Sequence, residues 1–303
     1  MTPGRAEPIG APVWFAPLRA PSWLVPRVRE DAVRVVFFAE AWTGQPVGGA
    51  GRDLRLGLPL YLAEAALFGT DARPVALRRP LGGRDAFPEA HVVVRTAVSP
   101  GGTRPIRVRV SDLHGARVTE IARGATDEAT LGAALEGLPR AVAEAASRAG
   151  VRPVWDSLYA LPGERALASY VRGSHACLRM IDEALPASAD AEAVAGRRAD
   201  VRSVLTSLGT LATSTHEPLP ALLFFGALLA ARDAGSRVLG EFRMPASVRC
   251  TAATDPLDPV FAMAALVLRV FGDLEASDRR IERLRETGDP SMRRWLARVQ
   301  AVT

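Results

Sequence analysis

The chain has 303 residues, 48% of them hydrophobic and 23% charged, with a formal net charge of +5. That is the make-up of a folded protein with room for two cores and excludes a disordered chain, and the modest excess of base does not by itself make a nucleic-acid binder. All 38 basic residues are arginine, which excludes a phosphate-loop lysine and a Schiff-base lysine.

Residues 1–31 carry six prolines, Pro3, Pro8, Pro12, Pro17, Pro21 and Pro26, together with Trp14, Phe15 and Trp23. The prolines prevent a long helix. The aromatic residues are too apolar to leave in water, so the segment is expected as an extended arm that docks on its own body or on a partner.

Ala32–Ala39 is a β-branched and aromatic run and predicts a buried strand. Gly44 to Gly51 reads as a loop, after which Asp53 is placed to cap a helix over Leu54–Phe68. Pro74–Leu77 and Ala90–Val98 predict two further strands. Ile106, Val108 and Val110 alternate with Arg107 and Arg109, the period of a half-exposed strand. His114-Gly115 turns the chain into Arg117–Ile121, completing an antiparallel meander. Leu131–Arg148 carries an apolar stripe at helical spacing, with Pro139 kinking the helix or marking the start of its main part.

Beyond Gly150 nearly everything reads as helix: Glu164–Leu185, Ala189–Ala212, Leu219–Asp233, Asp258–Phe271, Leu274–Thr287 and Ser291–Val299. Arg237–Cys250, with Gly240 and Pro245, reads as an irregular connector or short hairpin. The expected fold class is α+β: a small mixed-sheet α/β domain (β-α-β-β-β-β-α) over 32–150, preceded by the arm of 1–31 and followed by an all-α helical-hairpin domain over 151–303.

The β-α-β-β-β-β-α order resembles the TolB N-terminal-like domain. Val110-Ser111-Asp112-Leu113-His114-Gly115 and the helix around Ala141-Val142-Ala143 match that family's meander and closing helix. Gly163 to Gly173, with Ala166, Tyr170 and Gly173, resembles the opening of the helical region that follows such domains. Asp258 to Pro290 resembles one tetratricopeptide unit. Phe261, Ala265 and Leu268 stand at the bulky, small and bulky positions of its first helix, Gly272-Asp273 at its turn, and Ser277, Ile281 and Leu284 at the matching positions of its second. The unit usually has Ala where Ser277 stands. The resemblance implies a bacterial scaffold or assembly protein that binds a protein partner through stacked helix pairs.

Several constellations bear on chemistry. Gly49-Ala50-Gly51 lies between a strand and a helix, and Gly49, Gly51 and Arg52 with Arg78 and Arg79 form a candidate loop for a nucleotide-like or small anionic ligand. Leu54 stands where a third glycine would be needed. Four histidines are scattered over four elements, and Cys177 and Cys250 have no metal-ligand spacing, so no metal, cofactor or catalytic residue is expected. Arg104, Arg107, Arg109, Arg117 and Arg123 make the meander basic. An RNA-binding sheet needs exposed aromatics there, and there are none. Nucleic acid is therefore disfavoured. Arg279 and Arg283, in a run of mixed charge, join Trp14, Phe15 and Trp23 as candidate protein-interface residues.

No apolar signal region opens the chain, and the most apolar run, Leu219–Ala231, is too short for a membrane span. The expectation is a cytoplasmic, non-enzymatic protein with a protein partner. The alternative is a sensor of an anionic ligand at the first strand–helix connection.

Overall fold

The computed structural model describes residues 8–15, 17, 24–26, 28–41, 49–78, 80, 89–99, 106–112, 117–125, 127–155, 159–182, 191–233, 235, 237–286 and 290–300. It is mixed α/β, with a sheet region followed by a helical one. The chain divides into two compact units: Met1–Pro12, Val25–Ser157 and Leu161–His175 form the first, and Val13–Leu24, Leu158–Ala160 and Ala176–Thr303 the second. The division falls inside a helix, between His175 and Ala176, and not at Gly150 where the change of rhythm in the sequence placed it. The first half of that helix packs with the sheet unit, so periodicity changes before the packing does.

Among the described residues, unit 1 is built on a six-stranded sheet of order β1-β3-β2-β4-β5-β6. Its strands are β1 (Pro8–Ile9), β2 (Arg34–Ala39), β3 (Arg73–Leu77), β4 (Val92–Val98), β5 (Ile106–Asp112) and β6 (Val118–Arg123). β2 runs parallel to β3 and β4, while β4, β5 and β6 form the antiparallel meander. Helix α1 (Gly49–Gly69) makes the crossover between β2 and β3. It starts five residues before the expected Leu54, so Asp53 lies inside the helix and is not its cap.

β5 alternates buried Ile106, Val108 and Val110 with exposed Arg107 and Arg109, as its period of two requires. The long closing helix is two helices, α2 (Glu128–Glu136) and α3 (Leu138–Ser147), divided at Gly137 with Pro139 in the first turn of α3. Asp127 and Thr130 make a reciprocal cap at the start of α2, with Thr130 N donating to Asp127 Oδ1 at 2.8 Å. A void of about 10 Å³ between the sheet, α1 and α3 is lined by Val35, Phe37, Leu62, Thr70, Val142 and Val151. It has room for one water at most.

Unit 2 takes the end of α4 (Glu164–Asp182) and then α5 (Ala191–Ser214), α6 (Pro218–Asp233), α7 (Arg243–Ala252), α8 (Pro259–Val270), α9 (Leu274–Arg285) and α10 (Pro290–Gln300). α6 is buried along its length from Leu219 to Ala231 and forms the centre of this core. The stretch expected to be irregular is a 3-10 turn over Arg237–Phe242 running directly into α7. Pro245 is tolerated because it falls in the first turn of α7, where no intrahelical N–H bond is lost. No described helix is long and apolar enough to cross a membrane.

Candidate interaction surface

The residues expected to form a ligand loop lie elsewhere. Gly49, Gly51 and Arg52 form the first turn of α1 and are not a loop. Arg78 follows β3, and Arg79 lies outside the described residues. The start of α1 brings a residue that the sequence reading missed, Arg55. Its Nε and Nη1 are buried without a hydrogen-bond partner among the described residues. Burial first, and then repulsion from Arg52, lower the stability of its charge.

Two buried or half-buried pairs of titratable side chains stand between α1 and α4. His175 Nδ1 lies 2.6 Å from Asp53 Oδ1, with side-chain exposures of 8% and 17%. Tyr170 donates its hydroxyl to Glu64 Oε2 at 2.6 Å, and both residues are buried. These two pairs fasten α4 to α1 around Gly57, where a Cβ would run into the Val171 carbonyl. Close approach of two helix backbones requires a glycine there. The two cysteines are buried, and desolvation pushes both thiols up to about 12, so they stay protonated. Among the described residues there is no group of three or more side chains able to hold a metal ion.

The arm divides into parts. Pro8 and Ile9 pair antiparallel with Leu77 and Ala76 at the edge of the sheet. Trp14 is fully buried in unit 2, where its backbone lies so close to Gly226 of α6 that a Cβ at that glycine would stand 2.7 Å from Trp14 Cα. Phe15 is half-buried, edge-on to Trp14 at 6.0 Å between rings. Trp14 is thus a core residue, which corrects its candidacy as a partner-facing one. Trp23 lies outside the described residues.

α8 and α9 form a tight hairpin. Phe261, Ala265, Ser277, Ile281 and Leu284 are all buried, and Ser277 donates its hydroxyl to the Ala265 carbonyl at 2.8 Å. Gly272 has φ +79° and closes α8, with its N–H on Arg269 O and the Asp273 N–H on Leu268 O. This pair of bonds satisfies carbonyls the helix leaves open. Asp273 then caps α9 by accepting from Ala276 N. Arg269 and Asp278 bridge the two helices at 2.7 Å.

The arginines of α9 divide into two kinds. Arg279 is exposed and pairs with Glu275 one turn earlier. Arg280 and Arg283 stack on the Phe261 ring at 4.4 and 5.1 Å. Arg280 also donates to the carbonyls of Cys250 and Ala253, and Arg283 to that of Thr254. Arg283 is therefore a clamp on the end of α7 whose side chain remains exposed. Arg249 acts in the same way beyond α5, donating to Thr215 O at 3.0 Å and to Glu217 O at 3.4 Å.

The exposed large apolar residues of unit 2 lie on α7, at the start of α9 and in the turn between α7 and α8. Met244 is 71% exposed, Leu257 69%, Val248 50% and Leu274 44%. On α7 the exposed positions include Met244, Ser247, Val248 and Thr251. Their spacing of i, i+3, i+4 and i+7 puts them on one outward stripe. Two of the four are large and apolar, and the other two are small hydroxyl residues. The inward face carries Ala246, Arg249 and Cys250. Compared with known protein families, curated proteins and solved structures, the chain matches none.

Proposed function

We propose that this is a non-enzymatic protein-interaction module of the scaffold or assembly type, which binds protein through its helical half. The observation that carries the reading is the outward stripe of α7, where Met244 and Val248 stand one turn apart in solvent, with Leu257 in the turn that follows. Monomeric surfaces bear scattered single apolar residues, and a stripe at helix-docking spacing is the pattern of an interface. The stacked pair α8–α9, with small residues Ala265 and Ser277 at its crossing, supports a tetratricopeptide-like character for this region. The commitment of His175, Asp53 and both cysteines to packing supports a binding role over catalysis.

The test is differential capture from a bacterial lysate with three baits: wild type, the double variant Met244→Asp/Val248→Asp, and Val118→Asp on β6. The reading predicts proteins retained by wild type and Val118→Asp and lost by the α7 variant. Identical retention by all three baits, in a lysate that also contains the untagged chain itself, contradicts it.

A second reading has one observation behind it, the Arg55 guanidinium beside Arg52 at the start of α1, two of whose nitrogens lack partners among the described residues. Helix N-termini and arginines both attract anions. This reading predicts that inorganic phosphate raises the melting temperature of wild type and not of Arg55→Ala. Equal shifts, or none, remove it.

A further inference from the structure

We propose that the partner of the α7 stripe is a second copy of this chain, packed antiparallel across a two-fold axis near Ser247 and Val248. This rests on reading α7 as a docking face and names its occupant. Three features of α7 lead there. Its outward positions Met244, Ser247, Val248 and Thr251 form a seam with a small residue at the centre, which lets two helices approach closely. That central residue is a serine, whose hydroxyl both donates and accepts, so two copies meeting at the axis can satisfy one another. The third feature is charge. Arg243, just before the stripe, and Asp255, three residues past the end of the helix, are both exposed, and neither makes an ion pair among the described residues. Among the described residues the Asp255 carboxylate accepts one hydrogen bond, from the N–H of Leu257 at 2.9 Å.

The charges decide both the occupant and its orientation. A parallel pair would set Arg243 beside the Arg243 of the other copy, a like-charge contact. An antiparallel pair sets each Arg243 toward the Asp255 of the other copy, twice over, and opposes the two helix dipoles. Relative to a centre between Ser247 and Val248, Asp255 lies three residues farther out than Arg243. Those three residues follow the end of the helix, where the chain is extended at Ala253, so they span at most about 10 Å, within the joint reach of an arginine and an aspartate side chain. The stripe is therefore complementary to its own antiparallel image. A ten-residue helix spans only about 15 Å. The contact is at the small end of interface sizes, and the dimer is expected to dissociate at about 10–100 μM.

Sedimentation equilibrium of the full chain from about 1 to 500 μM, a range that brackets this affinity, tests the proposal. Wild type should pass from monomer to dimer, and Met244→Asp/Val248→Asp should stay monomeric at every concentration. Arg243→Asp and Asp255→Arg should each weaken the dimer about tenfold, as for loss of close charge pairs. The double reversal Arg243→Asp/Asp255→Arg should restore it to within about threefold, because the swapped charges pair again.

Position is read separately by cysteine trapping. Ser247→Cys, near the axis and nearly isosteric, should give a covalent dimer under mild oxidation. Thr251→Cys should not, since its own image lies about 10 Å away along the helix. A wild type that is monomeric at the highest concentration overturns the assignment, as does a dimer untouched by the α7 variants. If the α7 variant nonetheless loses a captured protein in the lysate test, the docking face stands and its occupant is another protein. If neither assay responds to the variant, both readings fail.

Discussion

The two units draw their cohesion from different chemistry. In unit 1 the sheet ladder does most of the work, and α4 is joined to α1 by buried polar pairs, Asp53 with His175 and Glu64 with Tyr170. In unit 2 the packing is apolar around α6, and the polar work falls on arginines that close helix ends: Arg249 beyond α5, Arg280 and Arg283 beyond α7. Helix C-termini leave carbonyls without partners, and a planar five-donor cation suits them better than any other side chain. A unit closed in this way satisfies its own ends. Met244 and Val248 on the outward face of α7 are then not explained by internal packing, which is why that face is assigned to a partner.

The largest effects should separate the units. Trp14→Ala empties a fully buried site against α6 and should cost about 3–5 kcal/mol. Amide-exchange protection should collapse in α6 and α8 and persist in β2, β4 and β5. Loss of protection in both units alike would break the comparison. Gly57→Ala acts in the opposite place, driving a methyl group into the Val171 carbonyl. Backbone has to move, and overpacking of this kind costs about 1–3 kcal/mol. The loss of protection should fall on α1 and the first half of α4.

Arg280→Lys should destabilise unit 2 by about 1–3 kcal/mol, measured by urea denaturation, because a lysine cannot serve two carbonyls and the Phe261 face together. Loss of the guanidinium fork, and not of the charge, is what this variant reads.

Acid should move two aspartate sites, one in each unit, in opposite directions. Asp71 accepts from the Arg152 N–H and guanidinium, which hold its carboxyl below the ordinary value of 3.8. The unfolded chain then binds more protons, so this clasp's contribution is present above 3.8 and is lost as pH falls through the lower folded value. Asp258 is raised above 3.8, mainly by burial. There the folded state takes the proton first, so the burial penalty at this site is relieved as pH falls toward 3.8 through the raised value. Site-resolved exchange between about pH 6 and 3 should show the start of α8, capped by Asp258, holding while the Asp71–Arg152 segment loosens. The smallest effect belongs to Arg279→Ala. Its exposed pair with Glu275 is of a kind worth at most about 0.5 kcal/mol, so the melting temperature should not move measurably.

Periodicity made most of the fold legible. β5 alternates as read, α8 and α9 bury the residues their spacing selects, and Trp14 is buried as its bulk demands. What escaped has physical causes. The first turn of α1 is Gly-Ala-Gly-Arg, a composition of loops, and only tertiary packing makes it helical. Gly240 and Pro245 hid α7, because a proline inside a pattern reads as a break unless the helix start is known. With α7 unseen, its stripe could not be seen either. The Asp53–His175 pair joins residues 122 apart and leaves no local trace. Arg280 and Arg283 were legible as charge and not as clamps, since the carbonyls they serve lie outside their own helix.

The central claim, that the α7 face is covered when the protein is at work, is read most directly at one atom, the sulfur of Met244. This residue is 71% exposed, whereas Met180, Met263 and Met292 are buried at 4%, 0% and 7%. Peroxide oxidation followed by mass spectrometry therefore reports on this face against three internal references. The account predicts rapid sulfoxide formation at Met244 in dilute protein and slow formation in concentrated protein or in the presence of its captured partner, with the other three unchanged. Oxidation of Met244 at one rate under all these conditions would contradict it.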